Sequence, residues 1–223
     1  MPDCRPLTFD LAKRIMIEIA LSAVTILLVT VGPIEVASMF VALTAGTSTH
    51  GKQRLALSAS LIGAAVLLAF ALGGNRLLAL LQVGLPAFRT AGGILLLRLS
   101  ADLLLARHSG LSSITRGEER EAAHHPDIAV FPLAIPLIAG PGSMTAVVLL
   151  MGRAQDAANA AAVVAAIGVV VGLTFAAMLA ADRLVRLLGL TGINVIARVS
   201  GILLAALAMQ FVFDGLGQSG LFH

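Results

Sequence analysis

The chain has 223 residues, 58% hydrophobic and 12% charged, with a mean hydropathy of +0.98. A soluble domain is nearer half apolar and a quarter charged, so the composition excludes one and leaves an integral membrane protein with room for about six spans of roughly 20 residues. The net charge of +3 and pI near 10.0 do not point to nucleic acid, because the basic residues lie singly or in pairs between apolar runs, as at membrane flanks. The single cysteine, Cys4, excludes an intramolecular disulfide and a cysteine metal cluster. Trp and Tyr are absent, so Arg, Lys and Phe must anchor the spans at the interfaces.

Met1 to Glu18 is polar and mixed in charge. Lys13-Arg14 precede an apolar run in the manner of a signal peptide. That run, however, continues past Pro33 to Leu43 with only Glu35 interrupting, and no Ala-x-Ala-like site ends it. The pattern predicts a first span from about Ile15 to Thr44, broken at Gly32-Pro33. Arg54 and Arg76 enclose an uncharged stretch from Leu55 to Asn75, the cleanest span, in which Gly63, Ala64 and Ala65 suit close helix contact. A short piece, Leu77 to Leu81, and a Gly84-Leu85-Pro86 turn should follow. The third span, about Leu85 to Ala106, carries Arg89, Arg98 and Asp102; the last two are one helical turn apart and can pair. Residues 107–126 form a mixed-charge loop, where His124-His125 do not converge as metal ligands must, so neither metal nor cofactor is expected. The fourth span, Ile128 to Met151, holds the second break at Gly140-Pro141-Gly142. Asp156 and Asp182 enclose a fifth, uncharged throughout, and the sixth runs from about Gly192 to Phe213.

The chain repeats itself at one constant offset. Gly32-Pro33 recurs as Gly140-Pro141, Gly84 as Gly192, and Gly93-Ile94-Leu95-Leu96 as Gly201-Ile202-Leu203-Leu204, with no gap between the matches. Each copy then holds three spans, and an odd number turns the second copy over in the membrane. The predicted fold is an all-α polytopic membrane domain over 1–223, with repeat one at about 15–106, a loop at 107–126 and repeat two at about 127–214. Six transmembrane helices form two inverted three-helix repeats, each with its first helix broken. Such repeats are common in secondary transporters, whose sites lie near the midplane on discontinuous helices.

Proline removes a backbone donor and clashes with the preceding turn, and glycine loosens what remains. Each break is either a packing kink or the start of a half-helix, for proline is at home in the first helical position. The free amides and dipole of a half-helix suit negative charge. The candidate substrate site is therefore Gly32, Pro33 and Glu35 at the first break, and Gly140, Pro141, Gly142, Ser143 and Thr145 at the second. Glu35 lies where a charge costs roughly 2.5–3.5 kcal/mol on insertion scales. Proton coupling or a substrate amine are its natural roles, and capping of its half-helix is the plain alternative. Arg89 and Arg198 either reach the interface or clamp a carboxylate.

Lys and Arg are denser around 52–54, 107–120 and 183–186 than in the alternate loops. This predicts that the 107–126 loop is cytoplasmic and both termini are outside, with Lys13-Arg14 running against the trend.

Three stretches carry a family resemblance: Leu85-Pro86-Ala87-Phe88-Arg89-Thr90-Ala91-Gly92-Gly93, Phe131 through Gly142, and Thr191 through Arg198. They resemble the MarC-type membrane proteins, also called the neutral amino-acid transporter family of six-helix proteins. The resemblance implies a bacterial inner-membrane protein with three-plus-three inverted repeats and, for some members, cation-coupled uptake of small neutral amino acids. At the first break the family usually reads Asp-Pro-x-Gly-Asn-x-Pro; here Gly32 stands for Asp, Glu35 for Gly, Val36 for Asn and Ser38 for the later Pro.

The leading expectation is a secondary transporter of a small solute, coupled to a proton or sodium and partnered by the lipid bilayer. It has no Walker motif for direct ATP use. A membrane-embedded enzyme would need convergent His, Asp, Ser or Cys residues, and only isolated ones occur, so catalysis is not expected. The alternative is a non-transporting membrane protein, or an efflux- or stress-related membrane partner. The sequence leaves the oligomeric state open.

Overall fold

In lipid every backbone polar group must be satisfied within the chain, which favours helices. The computed structural model describes residues 5–44, 46–105, 129–154 and 156–219, and every element among them is helical. They are α1 (Arg5–Val31), α2 (Pro33–Leu43), α3 (Thr49–Leu80), α4 (Leu85–Leu104), α5 (Ala129–Ile138), α6 (Pro141–Arg153), α7 (Ala157–Leu179) and α8 (Ala181–Gln218). Cys4, the 107–126 loop and His124-His125 lie outside the described residues.

Among the described residues, four stretches are long and apolar enough to cross a membrane: Ile17–Leu43, Thr49–Leu80, Ala157–Leu179 and Thr191–Gln218. The pair α5 and α6, bent by 53°, passes the same test together and is either a broken fifth span or a re-entrant loop. The remaining predicted span, the third in chain order, corresponds to α4. Its 20 residues reach about 30 Å, but Arg89, Arg98 and Asp102 lower its apolarity. Large apolar side chains such as Leu61, Leu72 and Ile202 face outward, as on a lipid-facing surface.

Local chemistry sets the boundaries. Ser48 caps α3 by accepting from the Gly51 amide at 3.3 Å, and Asp156 caps α7 by accepting from the Asn159 amide at 2.7 Å. The expected short piece after Arg76 is instead the continuous end of α3. A basic side chain does not end a helix when its head can reach an interface. The last helix also starts earlier than expected, at Ala181, and bends at Gly189 (φ 61°, ψ 176°). In α5 the coil is wide: the Ala139 amide donates to the Ala134 carbonyl, rather than to that of Ile135, at 2.8 Å. Phe131 and Ile135 are extended there (φ −127° and −128°), and each precedes a proline, which bars the α region.

Elements that share the sequence offset start and pack in matching ways. The helix start Pro33 is echoed by Pro141, and Thr49 by Ala157. Contacts come in matched pairs when the copies are exchanged: α1 on α7 with α5 on α3, α2 on α7 with α6 on α3, α2 on α8 with α6 on α4, and α1 on α6 with α5 on α2. The exchange maps the α4–α8 crossing onto itself. There Gly93 lies against the Ala208 carbonyl and Val212, and Gly201 lies against the Ser100 carbonyl and Leu104. These partners are themselves repeat-related, Ala208 answering Ser100 and Val212 answering Leu104. Residues rising along α4 meet residues falling along α8, so these two helices run antiparallel.

Ion pairs gather the helix ends. Arg153 at the end of α6 pairs with Asp214 of α8 at 2.6 Å, and Lys52 near the start of α3 pairs with Asp182 at the start of α8 at 3.0 Å. The Arg98–Asp102 pair within α4 forms as expected, at 3.8 Å.

Candidate functional site at the helix breaks

Gly32 ends α1 in the left-handed region (φ 61°, ψ 66°), which glycine adopts without steric cost, and Pro33 starts α2. Glu35 stands in the first turn of α2, where a carboxylate suits the helix dipole. Its side chain folds back over the break, so that a Cβ at Gly32 would overlap its Oε2. The Gly32 amide does not cap it, because that amide donates to the Leu28 carbonyl at 3.0 Å. Among the described residues the carboxylate has no hydrogen-bond or ion-pair partner.

The carboxylate borders a cavity of about 270 Å³. Leu28, Val29, Gly32, Pro33 and Ile34 of the first copy line it together with Leu173, Ile196 and Ser200 of the second. The last three carried no sequence signal of their own; Ser200 could have been suspected as the repeat counterpart of Gly92.

The second break is built differently. Gly140 is extended (φ −86°, ψ 169°) and Pro141 starts α6. Ser143, the counterpart of Glu35, is buried, and its Oγ accepts from the Gly140 amide at 3.0 Å. The same Oγ lies 2.9 Å from the Ile138 carbonyl and 3.0 Å from that of Gly140, its acceptors. Its bonding is thus spent on the break. Gly142 packs on Leu96 and Leu99 of α4, and the Thr145 methyl packs on Gly92. Replacing Ser143 by alanine orphans a buried amide, which costs about 1–3 kcal/mol. The S143A denaturation midpoint in detergent should fall accordingly, while T145V, which keeps the methyl, should shift it less.

Arg89 and Arg198 are not brought together. Arg89 is buried, and its Nη1 donates to Gln218 Oε1 at 2.8 Å, while its Nε has no hydrogen-bond partner among the described residues. Arg198 is exposed and lies far before Gln218 on α8, about 30 Å along the helix axis. One small carboxylate cannot bridge that distance, so the two-arginine clamp is not formed. Asp214 and Gln218, the polar partners at this end of α8, were not singled out from sequence; they stand 61 and 129 residues from the arginines they serve.

The family model for MarC family integral membrane proteins matches residues 17–219. The chain belongs to the MarC family. It is 35% identical to a UPF0056 membrane protein of Methanocaldococcus jannaschii, over 82% of this chain and 89% of that one. It is 39% identical to a UPF0056 membrane protein of Aquifex aeolicus, over 73% and 75%, and 30% identical to the UPF0056 membrane protein YhcE of Escherichia coli, over 83% and 86%. No solved structure matches it. The MarC match runs across both breaks, the α4–α8 crossing and the cavity residues.

Proposed function

We propose that this MarC protein is a secondary transporter that moves a small solute across the bacterial inner membrane, with a neutral amino acid as the first substrate class to test. The observation that carries the reading is Glu35. It is a carboxylate without a protein partner among the described residues, within a stretch long and apolar enough to span a membrane, on a cavity lined by both copies. A charge kept at such depth is a functional candidate by default. The packing supports an inverted repeat of three spans per copy, α4 supplying the sixth. Its repeat-related partner is α8, and the two run antiparallel with matched contacts. The two broken spans also pack together, α1 on α6 and α2 on α5, as expected of breaks that share a site.

A proton suits the lining better than sodium as the coupling ion. One carboxylate and one hydroxyl give few oxygens for a metal cation, whereas a lone carboxylate is complete as a proton carrier. Gly32, Pro33 and Glu35 would form the ligand side of the site, and Gly140 to Thr145 its mechanical counterpart. Proteoliposomes holding the full chain, given a panel of labelled amino acids under an imposed pH gradient or a sodium gradient, should accumulate at least one. No flux for any of them under either gradient would favour the non-transporting membrane partner.

The same reading places the 107–126 loop in the cytoplasm and both termini outside. With Cys4 replaced by serine and a single cysteine set in the loop, an impermeant maleimide should label inside-out vesicles and spare intact cells. Labelling of intact cells would reverse the orientation.

A further inference from the structure

Leu28 and Leu173, on the wall of the cavity at the first break, are 39% and 47% exposed. Both belong to stretches long and apolar enough to cross the membrane, where exposed leucines suit acyl chain. Gly32 lies well inside its span, Ile17–Leu43, near mid-depth.

Within the cavity the chemistry is one-sided. Among the described residues that line it, Glu35 carries the only charge, and Ser200 supplies a hydroxyl. Leu28 and Val29 of α1, Leu173 of α7 and Ile196 of α8 are apolar. No titratable residue occurs in α5, which touches α2. The cavity volume of about 270 Å³ equals about nine waters of liquid. The pseudo-equivalent position in the other copy offers nothing comparable, because Ser143 is closed on its own backbone.

We propose that this cavity binds a small molecule with an ammonium group and an apolar body, which reaches it laterally from the bilayer. The ammonium pairs with Glu35 and donates to Ser200, and the body lies along Leu28, Val29, Leu173 and Ile196. This deepens the transport reading by naming a ligand chemistry for the same cavity, and it rests on that reading only for the choice of site.

The chain has no Trp or Tyr, so Leu173→Trp supplies a fluorophore free of background. The L173W protein is reconstituted in nanodiscs, once with ordinary lipid and once with lipid brominated mid-chain. Brominated lipid should quench the indole, and isopentylamine should relieve the quenching in a saturable way, while isovalerate should not. With Glu35→Gln added, the amine should bind at least about tenfold more weakly, as loss of a charged hydrogen-bond partner implies. Helix content by circular dichroism checks that the double variant folds, and Ser200→Ala provides a milder second variant with intermediate weakening. An indole not quenched by brominated lipid overturns the lateral opening. A response to isovalerate equal to that of the amine, or an amine response unchanged by E35Q, overturns the ammonium site. Amine binding in a protein that transports nothing would leave the site standing and remove the transport reading.

Discussion

Glu35→Gln should insert and fold as the parent does and lose the pH dependence of uptake. The residue lies inside the apolar stretch Ile17–Leu43, close to the left-handed Gly32, with its carboxylate turned over the break and no protein donor among the described residues to hold it. Glutamine keeps the shape and removes both the charge and the exchangeable proton. Insertion should be unchanged or easier, because a charge at this depth is costly. Without proton coupling the imposed pH gradient no longer drives the solute uphill, so accumulation in E35Q should fall to simple equilibration of the solute across the membrane. Exchange of solute across the membrane without a gradient should persist once the solute concentration is raised to offset the weaker ammonium contact. The measurement is uptake into proteoliposomes across a series of external pH values, with counterflow at equal pH as the control. An unchanged pH profile in E35Q would reduce Glu35 to a cap on its half-helix.

The position of that carboxylate was half legible in the sequence. Gly-Pro within an apolar run foretold the break, and a lone acid just beyond it foretold a group in need of an explanation. What sequence could not show is the azimuth of a side chain. Ser143 stands in the same register as Glu35, yet its hydroxyl is closed on the second break. Arg198 and Arg89 each sit near the start of a span, yet one is exposed and the other buried. Rotation about a helix axis is set by which neighbours press on it, and those neighbours lie far along the chain: Gln218, for example, is 129 residues from Arg89. The length of α3 was missed for a related reason. A charged head ends a hydropathy run, but it does not end the backbone hydrogen bonding of a helix. The wide coil of α5 was written in the prolines that follow Phe131 and Ile135, a local steric signal.

The constant offset was the most legible feature of the sequence, and one pair of its glycines sits at a helix crossing. Gly93 and Gly201 were matched only as letters at the shared offset, and in the structure they form the two halves of one crossing. A Cβ at Gly93 would stand 2.8 Å from the Ala208 carbonyl oxygen and 3.0 Å from the Val212 amide nitrogen. Backbone atoms cannot turn aside, so α4 and α8 must separate. A Cβ at Gly201 would stand 3.1 Å from the Ser100 carbonyl oxygen and from side-chain carbons of Leu103 and Leu104, a milder conflict. Between membrane helices, packing and close backbone approach supply the attraction, so separation forfeits it along the whole crossing. Overpacking of this kind costs about 1–3 kcal/mol. Gly93→Ala should fall in the upper part of that range and Gly201→Ala in the lower. The double variant should cost less than the two summed, because the first substitution already parts the helices that the second would strain. Gly168→Ala and Gly172→Ala serve as controls: each glycine lies in α7 with nothing within 4 Å of an added Cβ. Alanine at these positions should be neutral or stabilising by up to about 1 kcal/mol through helix propensity. Denaturation midpoints in mixed micelles of increasing SDS fraction give the comparison. Equal costs at Gly93 and Gly168 would show that the α4–α8 crossing does not hold the two copies together.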